Sequence, residues 1–310
     1  MRLIFPAALA ALLLCGGAAR AATLHVGPGE PYAMPSQAIA AAHNGDTVLI
    51  APGTYFDCAI VSQNDLTIAG AGMRKTILTD RTCAGKAILV MNGNNITVKN
   101  LTLQRAVVAD GNGGGIRAEG GNLTVIGVRF FDNQDGILTA GNPAMTLRIL
   151  GSDFVDNGSC ASHGGCAHAV YANPMTLLDI EHTRFFDTKQ GHNIKSRAAK
   201  TIVKDCTIED GPNGTSSYQI DLPNGGSLIA DGNTIEKGPK SGNHGTAISI
   251  GEEGVTQPTD TIEVKDNIFI NNTGFTPVFV RNITATHAQL SGNTFKGGKV
   301  VPLVGAGSAH

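Results

Sequence analysis

The feature that most restricts what this chain can fold into is a short strand motif that returns at irregular intervals along most of its length. Each unit holds an apolar–x–apolar triplet, two turn residues and a second triplet of the same kind. Ile96-Thr97-Val98 precedes Leu101-Thr102-Leu103, and Leu123-Thr124-Val125 precedes Val128-Arg129-Phe130. Leu178-Asp179-Ile180 precedes Thr183-Arg184-Phe185, and the pattern continues to Ala288-Gln289-Leu290 and Asn293-Thr294-Phe295. Alternation with period two marks strands with one face buried. The chain has 40 glycines and many Asn and Asp residues, which place a turn every few positions and exclude a helical solenoid.

Stacking the units produces columns. One inward column reads Leu103, Phe130, Phe154, Phe185, Ile208, Ile235, Phe269, Phe295. A second reads Leu101, Val128, Ser152, Thr183, Cys206, Asn233, Asn267, Asn293. Phe185 to Ile208 is 23 residues and Ile235 to Phe269 is 34, so loops vary around a constant strand frame. A β-sandwich would need hairpin turns and would give no columns at this spacing. The expected fold is therefore all-β: a right-handed parallel β-helix (β-solenoid) forming a single domain over residues 22–310. Cys206 reads as a small core residue, and the three Asn as a ladder of stacked amides. Ser36 is expected to cap a short helix, Gln37 to Ala42, that closes the open end of the solenoid.

Residues 1–21 read as an export signal: Arg2, an apolar run from Leu3 to Leu14, then Ala19-Arg20-Ala21 as a cleavage site. A periplasmic or secreted destination follows, without an integral membrane segment in the mature chain, and an oxidising compartment permits disulfides. Cys160 and Cys166 share one loop, and Cys58 and Cys83 lie about one coil apart, so these are the expected pairs. A formal net charge of −2 and the lack of a basic run give no electrostatic reason for a nucleic-acid partner.

A third strand per coil carries the polar residues. Aligned on the inward residues Ile116, Ile137, Val170, Ile194, Ile220 and Ile248, the next position gives the outward column Arg117, Leu138, Tyr171, Lys195, Asp221, Ser249. Two residues further the column is Glu119, Ala140, Asn173, Arg197, Pro223, Gly251. With coils ~4.8 Å apart, Lys195 should lie between Tyr171 and Asp221, with Arg197 on the same face. His168 and His192 should stack, followed by Tyr218. Such a surface suits an anionic polysaccharide. Arg197 would clamp a uronate carboxylate, Lys195 would remove the C5 proton, and Tyr171 or His192 would protonate the leaving oxygen. His168, Asn193, Tyr218, Asp221 and Arg117 complete the expected binding set. The alternative is a non-catalytic carbohydrate-binding or surface β-helix in which the same charges pair across the coils and the histidines hydrogen-bond the turn. Asp132, Asp156, Asp187 and Asp210 form an acidic column, read as turn closure in preference to calcium ligation. Glu252 and Glu253, after the Ile248 strand, are free carboxylates near the groove's far end and weaker metal candidates. No cofactor is expected and no metal is predicted, calcium remaining possible; a monomer is expected.

The stretch Ser36 to Tyr55, with its AIAAA and GDTVLIAPGTY segments, closely resembles the opening of pectate-lyase-like β-helix proteins. That resemblance implies the fold and leaves the activity open. Asn193-Ile194-Lys195-Ser196 resembles the Lys-Ser strand of β-helix alginate and chondroitin lyases, which implies Lys195 as the base. The family's partner Arg belongs to the following coil, which here reads Tyr218-Gln219-Ile220-Asp221-Leu222-Pro223; Arg197 is the available substitute. Asn243-His244-Gly245 through Ser249-Ile250-Gly251 resembles a polygalacturonase segment, but Gly191-His192 stands where those enzymes carry paired Asp, so two-carboxylate hydrolysis is not expected.

Overall fold

The computed structural model describes Met1, residues 21–162 and residues 165–310. Residues 2–20 of the expected export segment lie outside the described residues. Three parallel sheets of 12, 10 and 10 strands run the length of the molecule, and each strand pairs with its counterparts in the coils before and after. Among the described residues one antiparallel strand pair forms, Ser159–Ser162 with Gly165–Ala167. The chain is a right-handed parallel β-helix. No helix among the described residues is long and apolar enough to cross a membrane.

The columns read from the sequence line the core as far as Phe269 and Asn267, and at the last coil Phe295 is exposed and Asn293 partly buried. Leu103, Phe130, Phe154, Phe185, Ile208, Ile235, Phe269 and Phe295 pair in register from coil to coil. Parallel coils place like residues directly over one another, so aromatic rings stack. Phe130, Phe154 and Phe185 are fully buried, with centroids 4.5 and 4.8 Å apart and planes within 10°. Burial of each such side chain is worth about 1.5–3 kcal/mol. Cys206 is enclosed, and burial pushes its thiol up to about 12, which makes it inert.

At the same corner Asn233, Asn267 and Asn293 form the ladder. Asn233 Nδ2 donates to Asn267 Oδ1 at 2.8 Å, and Asn267 Nδ2 donates to Asn293 Oδ1 at 2.9 Å. Each Oδ1 also accepts the backbone N–H of the previous coil's Asn or Cys206. These amides satisfy turn groups that the sheets leave unpaired. Asp132, Asp156 and Asp187 adopt left-handed turn conformations with φ of 55°, 58° and 59°, which Asp tolerates by bonding locally. Asp210 is instead buried, accepting from the Ser216 hydroxyl and the Gly238 N–H.

The N-terminal helix spans Pro35–Ala41 and packs against the first strands, with Ala38 and Ile39 buried. Ser36 is not its cap. Proline, with its fixed φ and missing N–H, takes the first helical position and moves the cap to Met34. Gln37 Oε1 accepts the Met34 N–H at 3.2 Å, and the Ser36 N–H donates to Asp57. Both expected disulfides are present, Cys58–Cys83 and Cys160–Cys166. The run Val300 to Val304 reads in the sequence as a last strand followed by a loose tail; the strand spans Val301–Gly305, and the residues after it form another, Gly307–Ala309.

Candidate functional site

The outward column falls in the expected order. Arg117 pairs with Leu138, Leu138 with Tyr171, Tyr171 with Lys195, and Lys195 with Asp221. Strand Ile194–Ser196 supplies Lys195, and Arg197 follows it on the same face. A cleft of about 710 Å³ opens above them. Its floor is Tyr171, Lys195 and Arg197, and its wall is His168, Gln190, His192 and the Cys160–Cys166 bridge.

The corner beside this floor is a second ladder. His192 N–H donates to His168 Nδ1 at 2.9 Å, and Tyr218 N–H donates to His192 Nδ1 at 3.2 Å. One coil earlier, His168 N–H donates to Asp135 Oδ1 at 2.7 Å. The imidazoles stack with centroids 4.6 Å apart, and Tyr218 leans on His192 at 5.1 Å. Acceptance at Nδ1 places each ring's proton on Nε2. Burial, with neighbouring Lys195, drives the His192 pKa down to about 3, and burial with His192 drives that of His168 well below its ordinary value. Both rings are therefore neutral near pH 7.

The cations are not free. Lys195 Nζ lies 2.8 Å from Glu253 Oε1 and 3.9 Å from Asp221 Oδ2. Arg197 Nη2 lies 2.6 Å from Glu253 Oε2, its Nε donates to Tyr171 Oη at 3.1 Å, and its Nη1 donates to Asn224 Oδ1. Burial works against the Arg197 charge, but the bonds to Tyr171 and Glu253 outweigh it and raise the guanidinium pKa. Burial likewise works against the Glu253 carboxylate, and Lys195 and Arg197 more than offset it, holding the group below its usual range. Asp221 differs: burial lifts it to about 7, against a partial pull from Lys195, and His192 Nε2 lies 3.5 Å from its Oδ2.

Lys195, Arg197, Tyr171, His168 and His192 thus converge on one cleft, with Asp221 beneath. Tyr218 stands at its edge, its hydroxyl donating to Glu252 at 2.5 Å, and burial and that contact raise its pKa. Two expected binding residues are placed elsewhere. Asn193 is fully enclosed, accepting from Thr188 and donating to Ser216, because the corner turns its side chain inward. Arg117 lies two coils beyond Lys195's neighbour Tyr171 and pairs with Glu119 at 3.4 Å. His244 stacks on exposed Phe275 at 4.6 Å, away from the cations. Sequence reasoning read Glu253 as a free carboxylate and a weak metal candidate, whereas it is bonded to Lys195 and Arg197, and it did not find Asn224. Both belong to turns, and no strand periodicity announces where a turn side chain points. Among the described residues no group of three or more His, Cys, Asp or Glu side chains is arranged to hold a metal ion.

The model for the right handed beta helix region matches residues 159–309. No curated protein matches the chain in sequence. Among solved structures, an alginate lyase from Paenibacillus sp. str. FPU-7 is similar at 16% identity, over 93% of this chain and 99% of that one, with a TM-score of 0.62. The pectin methylesterase PemA from Erwinia chrysanthemi is similar at 11% identity, over 86% of this chain and 71% of that one, with a TM-score of 0.41. A pectin methylesterase from Aspergillus niger is similar at 12% identity, over 90% and 87%, with a TM-score of 0.44. At such identities the alginate lyase speaks for the fold alone. With the coil registers and the match of residues 159–309, it gives this chain the right-handed parallel β-helix fold.

Proposed function

We propose that this protein is an exported polysaccharide lyase that cleaves a uronate-containing glycan by β-elimination in the cleft above Lys195. The observation that carries the reading is the arrangement of Tyr171, Lys195 and Arg197 on two adjacent coils, with Arg197 Nε donating to Tyr171 Oη. An amine, a guanidinium and a phenol at this spacing match the three demands of the reaction. Arg197 binds the uronate carboxylate and stabilises the negative charge that develops when C5 loses its proton. Lys195, having given its ammonium proton to solvent, takes the C5 proton as the neutral amine, the C–H electron pair forms the C4–C5 double bond, and the C4–O4 bond breaks. Tyr171 gives its proton to O4, and the resulting phenolate is held by Arg197 until Lys195 returns a proton.

His192 is the weaker candidate for the acid. An imidazole whose pKa is pushed down to about 3 carries no imidazolium proton to give near pH 7. Asp221 orients Lys195 from beneath. An alginate lyase with this fold along nearly its whole length is in keeping with the substrate class, and two disulfides are in keeping with export.

The test is the ultraviolet absorbance of unsaturated product, with alginate, pectate, glycosaminoglycans and bacterial exopolysaccharides offered in turn, with and without calcium. A rise that Lys195→Ala abolishes is expected. Silence across the panel with glycan binding retained would overturn the lyase and leave a non-catalytic carbohydrate-binding β-helix.

A further inference from the structure

Each of the three guanidinium nitrogens of Arg197 is engaged. Its Nε is engaged by Tyr171, its Nη1 by Asn224 and its Nη2 by Glu253. Lys195 has Glu253 as its nearest carboxylate, with Asp221 more than an ångström further away. One carboxylate therefore bridges both cations, Oε1 on the lysine and Oε2 on the arginine, and its contact with Arg197 is the one a uronate carboxylate would make in the reaction proposed above. The cations are sheltered, their side chains 11% and 18% exposed, whereas the Glu253 side chain is 46% exposed.

We propose that Glu253 is an internal occupant of the carboxylate subsite, displaced only by a ligand that brings a carboxylate of its own, and so sets the selectivity of the cleft. Glu253 is carried on a tight turn between Gly251 and Gly254, whose φ values are 92° and 93°. Backbone bonds from Gly251 to Leu222 and from Glu253 to Pro223 fix the base of the turn. The glutamate side chain is left to swing out into water, where a carboxylate is well solvated. Exchange of one carboxylate for another preserves the charge balance at Lys195 and Arg197. A neutral sugar that displaced Glu253 would leave sheltered Arg197 without a carboxylate and Lys195 with only the more distant Asp221, and unpaired sheltered charge is strongly disfavoured. A ligand competing with an internal occupant binds with an affinity reduced by the fraction of time the site is open.

This inference rests on the uronate reading, and the experiment separates the two. D-glucuronate and D-glucose are titrated calorimetrically into the intact protein, its E253Q variant and an E252Q control. E252Q removes the same charge from the same turn but touches neither Lys195 nor Arg197. E253Q is expected to bind glucuronate about tenfold more tightly than the parent, with glucose unaffected and E252Q close to the parent. Glu253→Asp, which keeps the charge but is too short to bridge both cations, should show part of the gain and serves if E253Q folds poorly. An equal gain in E252Q and E253Q would reduce the effect to net charge and overturn the proposal. Glucuronate binding by the parent with no gain in E253Q overturns it while leaving the uronate reading in place. No binding of glucuronate by any of the proteins removes both.

Discussion

Replacing Asn267 by alanine tests how the solenoid is held at its corners. The side chain is 1% exposed and makes four hydrogen bonds. Its Oδ1 accepts from Asn233 N and from Asn233 Nδ2, and its Nδ2 donates to Ala230 O and Asn293 Oδ1. The variant leaves two buried donors on Asn233 without an acceptor, in a place water does not reach. Each such group costs ~1–3 kcal/mol, so the expected loss is about 3 kcal/mol or more. For a domain of this size that is a fall in Tm of roughly 6–12 °C, read by far-ultraviolet circular dichroism. Asn293→Ala is the internal control. It deletes the same side chain one coil later, where the site is half-exposed and water can replace the lost oxygen, and should cost about 1 kcal/mol. A fall below 2–3 °C for Asn267→Ala, roughly the effect of a single kcal/mol, would refute the ladder as a source of stability. Equal falls for the two variants would refute the burial argument.

Asp135 sets a pH dependence. Burial pushes its carboxyl up to about 8, so the native protein holds a proton that the unfolded chain releases near 3.8. That group's contribution is complete below 3.8 and is lost as pH rises towards 8. Asp135→Asn, measured by Tm against pH, should therefore show a smaller decline between pH 4 and 8 than the parent; an identical slope would refute the shift. Tyr171→Phe should lower kcat by about 10²–10⁴-fold, the usual worth of a positioned acid, with little change in KM. A change confined to KM would assign the hydroxyl to binding.

The fold was legible because its information is local and repeated. Period-two triplets give strands, and their recurrence gives columns that fix which residues stack. The same logic reached the site wherever the site is strand: Tyr171, Lys195 and Asp221 are consecutive rungs, and the strand spacing alone orders them. It failed at corners and turns. Asn193 lies between outward His192 and inward Ile194, where the chain bends and alternation breaks, so its inward direction had no periodic signal. Glu253 reaches back across two coils, and its aim depends on two left-handed glycines and a backbone bond to Pro223. Proline at the head of the helix displaced the cap that Ser36 seemed suited to provide, since a fixed φ outweighs a capping hydroxyl one position later.

The coil-to-coil registers also bear on how such a molecule can change. Tyr171, Lys195 and Asp221 touch although 24 and 26 residues separate them in the chain. Their proximity depends on the order of whole coils and hardly at all on the loops between. Duplicating a coil before Asp135 or after Asn282 would lengthen the groove and keep the cluster intact. A coil inserted between Tyr171 and Asp221 would move each side chain to a new neighbour without disturbing a single strand. The scaffold is thus indifferent to the number of its coils, while the cluster tolerates only one sequence of them, and lineages of such proteins can gain length at either flank far more freely than in the middle.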